Sequence, residues 1–225
     1  MSLKMAMTLR FDLYYSFRSP YSYLATPRIA ELVARYDLAC DVKVVRPIAV
    51  RIPGFFSQVN PLWPPYLLRD TVRISQRLGI PYAWPRPDPI VMTSRTEVAA
   101  EQPHIMRVSR LGVAAVEAGR GLEFLVEAGR LIWSGAVQGW NEGAHLADAA
   151  QAAGLDPDAA EARIAAETAR IDAVIAANEA AQNQAGHWGV PLLVFQGEPF
   201  FGQDRLEDLV WRMRQHGLRE RSGAA

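Results

Sequence analysis

A strand that runs directly into a capped helix is the feature that most constrains this chain. Residues 8–15 are rich in leucine, phenylalanine and tyrosine and predict a strand. Ser19 follows as an N-cap, because its hydroxyl can accept a hydrogen bond from a free backbone N–H of the first turn. Pro20 suits the first helical position, which needs no N–H. The free N–H groups and the positive end of the helix dipole favour an anion at Ser19. The alternative is that Ser19 only caps the helix.

The hydrophobic pattern predicts strands near both ends of the chain and helices between them. A helix over residues 20–36 and a strand over 40–48 complete a βαβ unit, whose crossover should be right-handed. Prolines and glycine predict irregular structure over residues 50–65 and an extended loop over 80–89. Helices are predicted over residues 66–78, 96–118, 121–134, 142–153 and 158–184. Strands over 190–195 and 199–201 and a closing helix over 203–215 follow.

This order predicts two units that pack together. Residues 8–59 and 186–217 are expected to form one discontinuous α/β domain. Residues 60–185 are expected to form a helical domain inserted into it. We find no linker composition or internal repeat between the two units, so we expect them to share an interface.

Composition and charge exclude several classes of function. Lys+Arg and Asp+Glu both number 24, so no global basic field attracts nucleic acid or an anionic membrane. No apolar run is long enough to span a bilayer. Residues 1–8 lack the apolar core of a signal peptide, and a cytoplasmic location is expected.

The sequence predicts neither a disulfide nor a metal site. Cys40 is the single cysteine and lies in a predicted strand, where a buried, inert thiol is expected. The four histidines have no metal-ligand spacing with one another or with acidic residues.

Two corners of the predicted α/β domain resemble thioredoxin-like proteins. One is Ser19-Pro20-Tyr21-Ser22, where disulfide oxidoreductases of the DsbA type carry Cys-x-x-Cys. The other is Gly189-Val190-Pro191 before a strand, where thioredoxin-like proteins carry a cis-proline. The resemblance implies an α/β fold, namely a DsbA-like thioredoxin domain with a large α-helical insertion. It also implies that the backbone groups of Val190 face Ser19.

Longer motifs resemble the 2-hydroxychromene-2-carboxylate isomerases, which are related to the kappa-class glutathione transferases. The resemblance covers about residues 8 to 216, and its most specific part is the strand after Val190-Pro191 followed by Phe-Phe-Gly-Gln-Asp-Arg-Leu. The matching segments are residues 11–15, residues 19–24, Tyr66-x-x-x-Asp70-x-x-Arg73, residues 189–191 and residues 200–206.

Serine at both positions of the first corner excludes disulfide exchange by this chain. That reaction needs a thiolate that attacks sulfur, and the hydroxyls of Ser19 and Ser22 cannot replace it. Cys40 stands alone on a predicted strand and cannot supply a pair.

The resemblance implies a glutathione site in which the sulfur belongs to the cofactor. Ser19 would donate a hydrogen bond to the thiolate, which a helix N-terminus also favours. Val190 and Pro191 would contact the cysteinyl backbone, as a peptide strand adds to an edge. Gln203 and Asp204 would bind the γ-glutamyl group. The alternative for these two residues is ordinary helix-start chemistry.

The loop before the first inserted helix departs from the family pattern. Asn60 matches a family asparagine that contacts glutathione or substrate. The family commonly carries a lysine shortly before the Tyr-x-x-x-Asp-x-x-Arg run, and Trp63 stands at that place. A cationic contact to a carboxylate is therefore lost unless an arginine replaces it. The candidates are Arg18, Arg51, Arg69 and Arg86.

The resemblance implies a glutathione-dependent isomerase that acts on an aryl 2-oxo or enol acid and forms a homodimer. A glutathione transferase would use the same site, and a thioredoxin-like binding module without catalysis is the alternative from another class. Asp70 and Arg73 can form a helix-locking ion pair or contact substrate. Aromatic residues expected to contact an aromatic acid are Tyr21, Trp63, Tyr66, Tyr82 and Trp84, with Phe55 and Phe56 beside them.

Overall fold

A four-stranded mixed sheet lies at the centre of the computed structural model, which describes residues 8–221. The strands are β1 (Leu9–Tyr15), β2 (Leu38–Val44), β3 (Leu192–Phe195) and β4 (Glu198–Phe201), in the order β2-β1-β3-β4. β1 runs parallel to β2 and antiparallel to β3, and β4 is antiparallel to β3. Leu13 lies opposite both Val42 and Leu193, so β1 pairs with one strand from the N-terminal part of the sequence and one from the C-terminal part.

Helices cover the sheet and fill the middle of the sequence. They are α1 (Pro20–Arg35), α2 (Ile48–Arg51), α3 (Phe55–Gln58), α4 (Trp63–Leu78), α5 (Pro103–Glu117), α6 (Gly121–Trp133), α7 (His145–Ala152), α8 (Pro157–Gln184) and α9 (Leu206–Gln215). A 3₁₀ turn, Gln203–Arg205, precedes α9.

The predicted elements occur in the predicted order, but two short helices, α2 and α3, were not predicted, and several boundaries differ. The second strand ends at Val44 rather than at residue 48. The segment 50–65 is not wholly irregular, since it contains α3 and the first turn of α4. Pro64 and Pro65 lie in that first turn, where an N–H has no intrahelical partner and its loss costs little.

The predicted helix over 96–118 was wrong for its first seven residues. α5 begins only at Pro103, and Gln102 before it has φ −128° and ψ 63°. Proline restricts the residue that precedes it and disfavours the helical conformation there. The preceding segment forms a turn in which Thr93 N–H donates to the carbonyl of Glu97 at 2.9 Å.

One hydrophobic cluster runs through the sheet, α1 and the helices between residues 63 and 184. Trp133 of α6 is fully buried in it, close to Phe17 and the start of α1. α8 packs along α5 and is kinked at Glu167, which has φ −123° and ψ 21°. The helical segment therefore packs directly on the elements that carry the predicted site. Within residues 8–221, no helix is both long and apolar enough to cross a membrane.

Candidate functional site

Ser19 lies at the N-cap of α1 and faces a loop from the far end of the chain. Its backbone is extended, with φ −96° and ψ 113°, and its Oγ accepts from the Ser22 N–H at 3.1 Å. The same hydroxyl donates to the carbonyl of Val190 at 3.4 Å. This donor bond is long for an O–H donor, so the hydroxyl can give it up for a stronger acceptor.

The Val190–Pro191 peptide bond is cis, which confirms the prediction for this corner. The Gly202 N–H donates to the Pro191 carbonyl at 2.9 Å, and this bond ties the cis-proline to the start of the closing helix. Among residues 8–221, the backbone N–H of Val190 donates no hydrogen bond. Val190 therefore offers a free donor beside the Ser19 hydroxyl, as a peptide ligand in strand-like pairing requires.

Two side chains from distant helices hold the loop before the cis-proline. Gln182 of α8 is fully buried and donates to the Gly189 carbonyl at 2.7 Å. Arg51 of α2 donates to Gln182 Oε1 at 2.9 Å and to the Trp188 carbonyl at 3.0 Å. These bonds fix the backbone that leads to Val190.

A stack of three rings borders the same loop. His187 lies between Trp188 and Phe201, with ring centroids 5.3 Å and 3.8 Å away. Its Nδ1 accepts from the Gly189 N–H at 2.9 Å, which requires that nitrogen to be unprotonated. Burial lowers the pKa of His187 and favours the same neutral form.

Ser22 does not belong to the accessible part of this corner. Its side chain is fully buried, and its hydroxyl has no hydrogen-bond partner in residues 8–221. Ser19 is therefore the serine of the pair that can meet a ligand.

The predicted γ-glutamyl residues lie at the start of the closing helix, but their environments differ. Gln203 is buried, and its side-chain oxygen accepts from Arg28 Nη1 at 2.9 Å. The carbonyl of Gln203 accepts from the same nitrogen at 2.8 Å. Asp204 is exposed and pairs with the adjacent Arg205 at 3.2 Å. Arg28 thus orients Gln203, while Asp204 stays accessible to a ligand.

Tyr21, in the first turn of α1, is joined to α4 through a carboxylate. Its hydroxyl donates to Asp70 Oδ2 at 2.9 Å, and Arg73 donates to Asp70 Oδ1 at 3.1 Å. Burial raises the pKa of Tyr21, and Asp70 adds to the rise together with the nearby phenols of Tyr66 and Tyr82. The Asp70–Arg73 ion pair is thus present. Through Asp70 it also binds the hydroxyl of Tyr21, close to the helix start at Ser19.

Aromatic residues flank Arg18, the residue before Ser19. The Arg18 guanidinium lies 5.4 Å from the Phe56 ring and 5.7 Å from the Trp84 ring. It forms a two-point ion pair with Asp88, at 2.8 and 3.0 Å. Trp84 Nε1 also donates to Asp88, at 3.2 Å. Because Asp88 neutralises Arg18, this arginine is not free to bind a ligand carboxylate.

The segment from α3 to the first turn of α4, residues 55–66, forms an exposed aromatic edge. Trp63 is 40% exposed and packs edge-on against Phe55, with ring centroids 6.2 Å apart. Tyr66 is 57% exposed. Asn60 is exposed, and its Oδ1 accepts from the Leu62 N–H at 3.0 Å, so its oxygen shapes the turn into α4. No hydrogen bond among the described residues joins Asn60 or Asp204 to Ser19.

Sequence reasoning missed Arg28, Asp88 and Gln182. Each of them acts through another residue, and none carries a local motif. Tyr82 stacks on the buried Trp133 at 5.9 Å, so it belongs partly to the core. Its hydroxyl has no hydrogen-bond partner in residues 8–221.

Comparison with known proteins agrees with this geometry. A family model described as the DsbA-like thioredoxin domain matches residues 10–214. The chain belongs to the DsbA-like thioredoxin family. No curated protein matches the sequence significantly.

Solved structures share the fold of this DsbA-like protein. A 2-hydroxychromene-2-carboxylate isomerase is 24% identical with a TM-score of 0.65, and the match covers 92% of this chain and 96% of that chain. A probable DsbA oxidoreductase from Streptomyces coelicolor is 18% identical with a TM-score of 0.64, covering 92% and 89%. The cytosolic disulfide reductase DsbM from Pseudomonas aeruginosa, in a structure with GSH, is 18% identical with a TM-score of 0.58, covering 92% and 98%.

This DsbA-like protein lacks the sulfur that thiol–disulfide exchange needs. Ser19 and Ser22 occupy the corner, and Cys40 lies on β2, paired with Phe11 of β1. Burial raises the pKa of the Cys40 thiol and disfavours the reactive thiolate.

Proposed function

We propose that this protein is a glutathione-dependent isomerase of the 2-hydroxychromene-2-carboxylate type. The observation that carries the proposal is the Ser19 hydroxyl, which lies at a helix start and faces the Val190 carbonyl beside a cis-proline. A site with a hydroxyl donor and no sulfur of its own suits a ligand that brings the thiol.

The residues present fit a thiol peptide. The Ser19 hydroxyl can turn from the Val190 carbonyl, 3.4 Å away, to a thiolate, and charged acceptors give the stronger bond. The first-turn N–H groups of α1 favour the same negative charge. The Val190 N–H can pair with the ligand backbone, while Gln203 and Asp204 can bind its amino-acid end.

Glutathione, when bound, supplies a thiolate that adds reversibly to a conjugated carbon of the substrate, which permits rotation before the thiolate leaves. The role of Ser19 is to hold that sulfur ionised. The exposed ring of Trp63 and the phenol of Tyr66 offer an apolar edge for an aromatic acid. The Tyr21 proton is held by Asp70, so Tyr21 presents its oxygen as an acceptor.

Two proteins of the same fold support this proposal. One structure of this fold is a 2-hydroxychromene-2-carboxylate isomerase, and another was determined with GSH. The resemblance of residues 19–24 and 200–206 to the isomerases adds to that support.

The test is glutathione binding by calorimetry, followed by the ultraviolet absorbance of the bound thiolate. Ser19→Ala should raise the pKa of the bound thiol by about 1 unit, because a hydrogen bond to a charged group is removed. Ser22→Ala is the matched control, since its hydroxyl is buried without a partner. The control should leave the thiolate absorbance unchanged.

The product distinguishes the proposed isomerase from the alternatives. Isomerisation of the chromene acid without net consumption of glutathione is expected. A stable conjugate with an aryl halide, and no isomerisation, would indicate a transferase. Absence of glutathione binding at millimolar concentration would refute both enzymes and favour a binding module. We also propose a homodimer, which sedimentation at several protein concentrations tests.

A further inference from the structure

We propose that Arg51 binds the terminal carboxylate of the thiol peptide and so replaces the family lysine whose place Trp63 takes. This inference rests on the proposed function. It adds a specificity-determining residue that the sequence left open among four arginines.

Arg51 is anchored next to the residues that would hold the peptide. It ends α2, and one guanidinium nitrogen donates to the Trp188 carbonyl at 3.0 Å. The other donates to Gln182 Oε1 at 2.9 Å, and Gln182 in turn binds the Gly189 carbonyl. The guanidinium therefore lies against the chain two residues before Val190.

Arg51 forms no salt bridge with any of the described residues, although the carboxylate of Glu179 lies near enough to act on its charge. Its two acceptors, an amide oxygen and a backbone carbonyl, are neutral, and its buried Nε has no partner. Burial lowers the pKa of Arg51, which reports incomplete solvation of the cation. The neighbouring carboxylate of Glu179 is bound at two points by Arg46, at 2.8 and 2.7 Å. A partly buried guanidinium with only neutral partners favours an added carboxylate.

The direction of an extended peptide brings its carboxylate to Arg51. Pro191 is tied to Gly202 at 2.9 Å, so the γ-glutamyl end at Gln203 and Asp204 lies on one side of Val190. In antiparallel pairing with Val190, the glycyl end then points towards Gly189 and Trp188. The cysteinyl and glycyl Cα atoms are about 3.8 Å apart, so the carboxylate lies about 5 Å beyond the cysteinyl Cα. That distance is within the span of Trp188 and Gly189, the two residues that precede Val190.

The other three arginines fit this role less well. Asp88 neutralises Arg18 with two hydrogen bonds, at 2.8 and 3.0 Å. Arg69 and Arg86 are exposed, and neither donates a side-chain hydrogen bond to the loop at residues 188–190. A fully hydrated guanidinium gains little from one more carboxylate.

The experiment compares glutathione with its glycyl carboxamide, which keeps the shape of the ligand and removes its terminal charge. Calorimetry on the full chain should show that the wild type binds glutathione about tenfold more tightly than the amide, as expected for one charge-assisted hydrogen bond. Arg51→Gln should bind both ligands with equal affinity. Arg51→Lys should keep part of the preference. Arg69→Gln, a control with an exposed arginine, should keep all of it.

Three other outcomes would contradict the inference about Arg51 or the proposed function. If Arg51→Gln weakens both ligands by the same factor, the side chain only positions the 188–189 loop and the inference is wrong. Equal affinity of the wild type for acid and amide also overturns the inference, while the proposed function stands. If the wild type binds neither ligand at millimolar concentration, the proposed function fails and this inference fails with it.

Discussion

Glu179→Gln should lower the free energy of unfolding by about 2 kcal/mol, a value intermediate between those for buried and exposed ion pairs. Glu179 lies on α8, is 8% exposed and accepts from three groups of Arg46, namely N at 2.9 Å, Nε at 2.8 Å and Nη2 at 2.7 Å. Glutamine keeps the shape of the glutamate side chain but replaces one carboxylate oxygen with an N–H₂ group, which then faces an N–H donor of Arg46. It also removes the negative charge that faces both Arg46 and Arg51.

The exposure of the pair sets the size of the effect. Breaking a fully buried ion pair costs about 3–5 kcal/mol. A fully exposed pair is worth about 0–1 kcal/mol. Because the Arg46 side chain is 35% exposed, the cost falls between these limits. For a chain of this length, about 2 kcal/mol corresponds to a decrease of about 4–8 °C in Tm.

Urea unfolding at neutral pH measures this loss, and Glu161→Gln is the matched control. Glu161 pairs with Arg107 at 2.8 Å, with the two side chains 40% and 42% exposed. The control should lose about 0.5 kcal/mol or less. Equal losses for the two variants would refute the reasoning, because they would show that burial of Glu179 adds nothing to the pair.

Two further predictions concern the surroundings of the site. Trp133→Phe should destabilise the fold by about 2–4 kcal/mol, since it leaves a cavity and removes the donor to the buried Phe17 carbonyl, 2.9 Å away. Urea unfolding checks it, and a loss below about 1 kcal/mol would contradict it. The lowered pKa of His187 means that the unfolded chain takes up the proton first. The stability that the neutral ring gives, with Nδ1 accepting from Gly189, is present above about pH 6.5 and is lost as the pH falls through the folded pKa. Between pH 7 and 5 the wild type should lose more stability in urea than His187→Asn, which cannot titrate; equal losses would exclude the ring as the cause.

Much of the fold could be predicted because its signals are local. Ser19-Pro20 predicts a helix start, since capping depends on groups within one turn. The observed cap, with Ser22 N–H 3.1 Å from Ser19 Oγ, has that form. The prediction failed at residues 96–102, where Pro103 ended the extended segment and the hydrophobic pattern alone could not locate the boundary.

The candidate site was only partly predictable. The resemblance to thioredoxin-like proteins predicted that Val190 faces Ser19, 171 residues away in the sequence. The 3.4 Å contact between them agrees with that prediction. The expected roles of Asn60, Gln203 and Asp204 remain predictions that ligand binding must test. Arg28, which holds Gln203 from 175 residues away, could not be recognised because no local pattern links the two.

The sequence by itself determined the strand-to-helix corner and the absence of a second cysteine, which depend on residue type and on neighbours within a few positions. The cis-proline after Val190 was expected from the resemblance to thioredoxin-like proteins. Only the tertiary structure decided which acceptors surround each of the candidate arginines. Asp88 reaches Arg18 across 70 residues, while Gln182 meets Arg51 across 131. The physical reason is that the state of a charge depends on which acceptors the folded chain places around it, and packing of distant helices sets those distances.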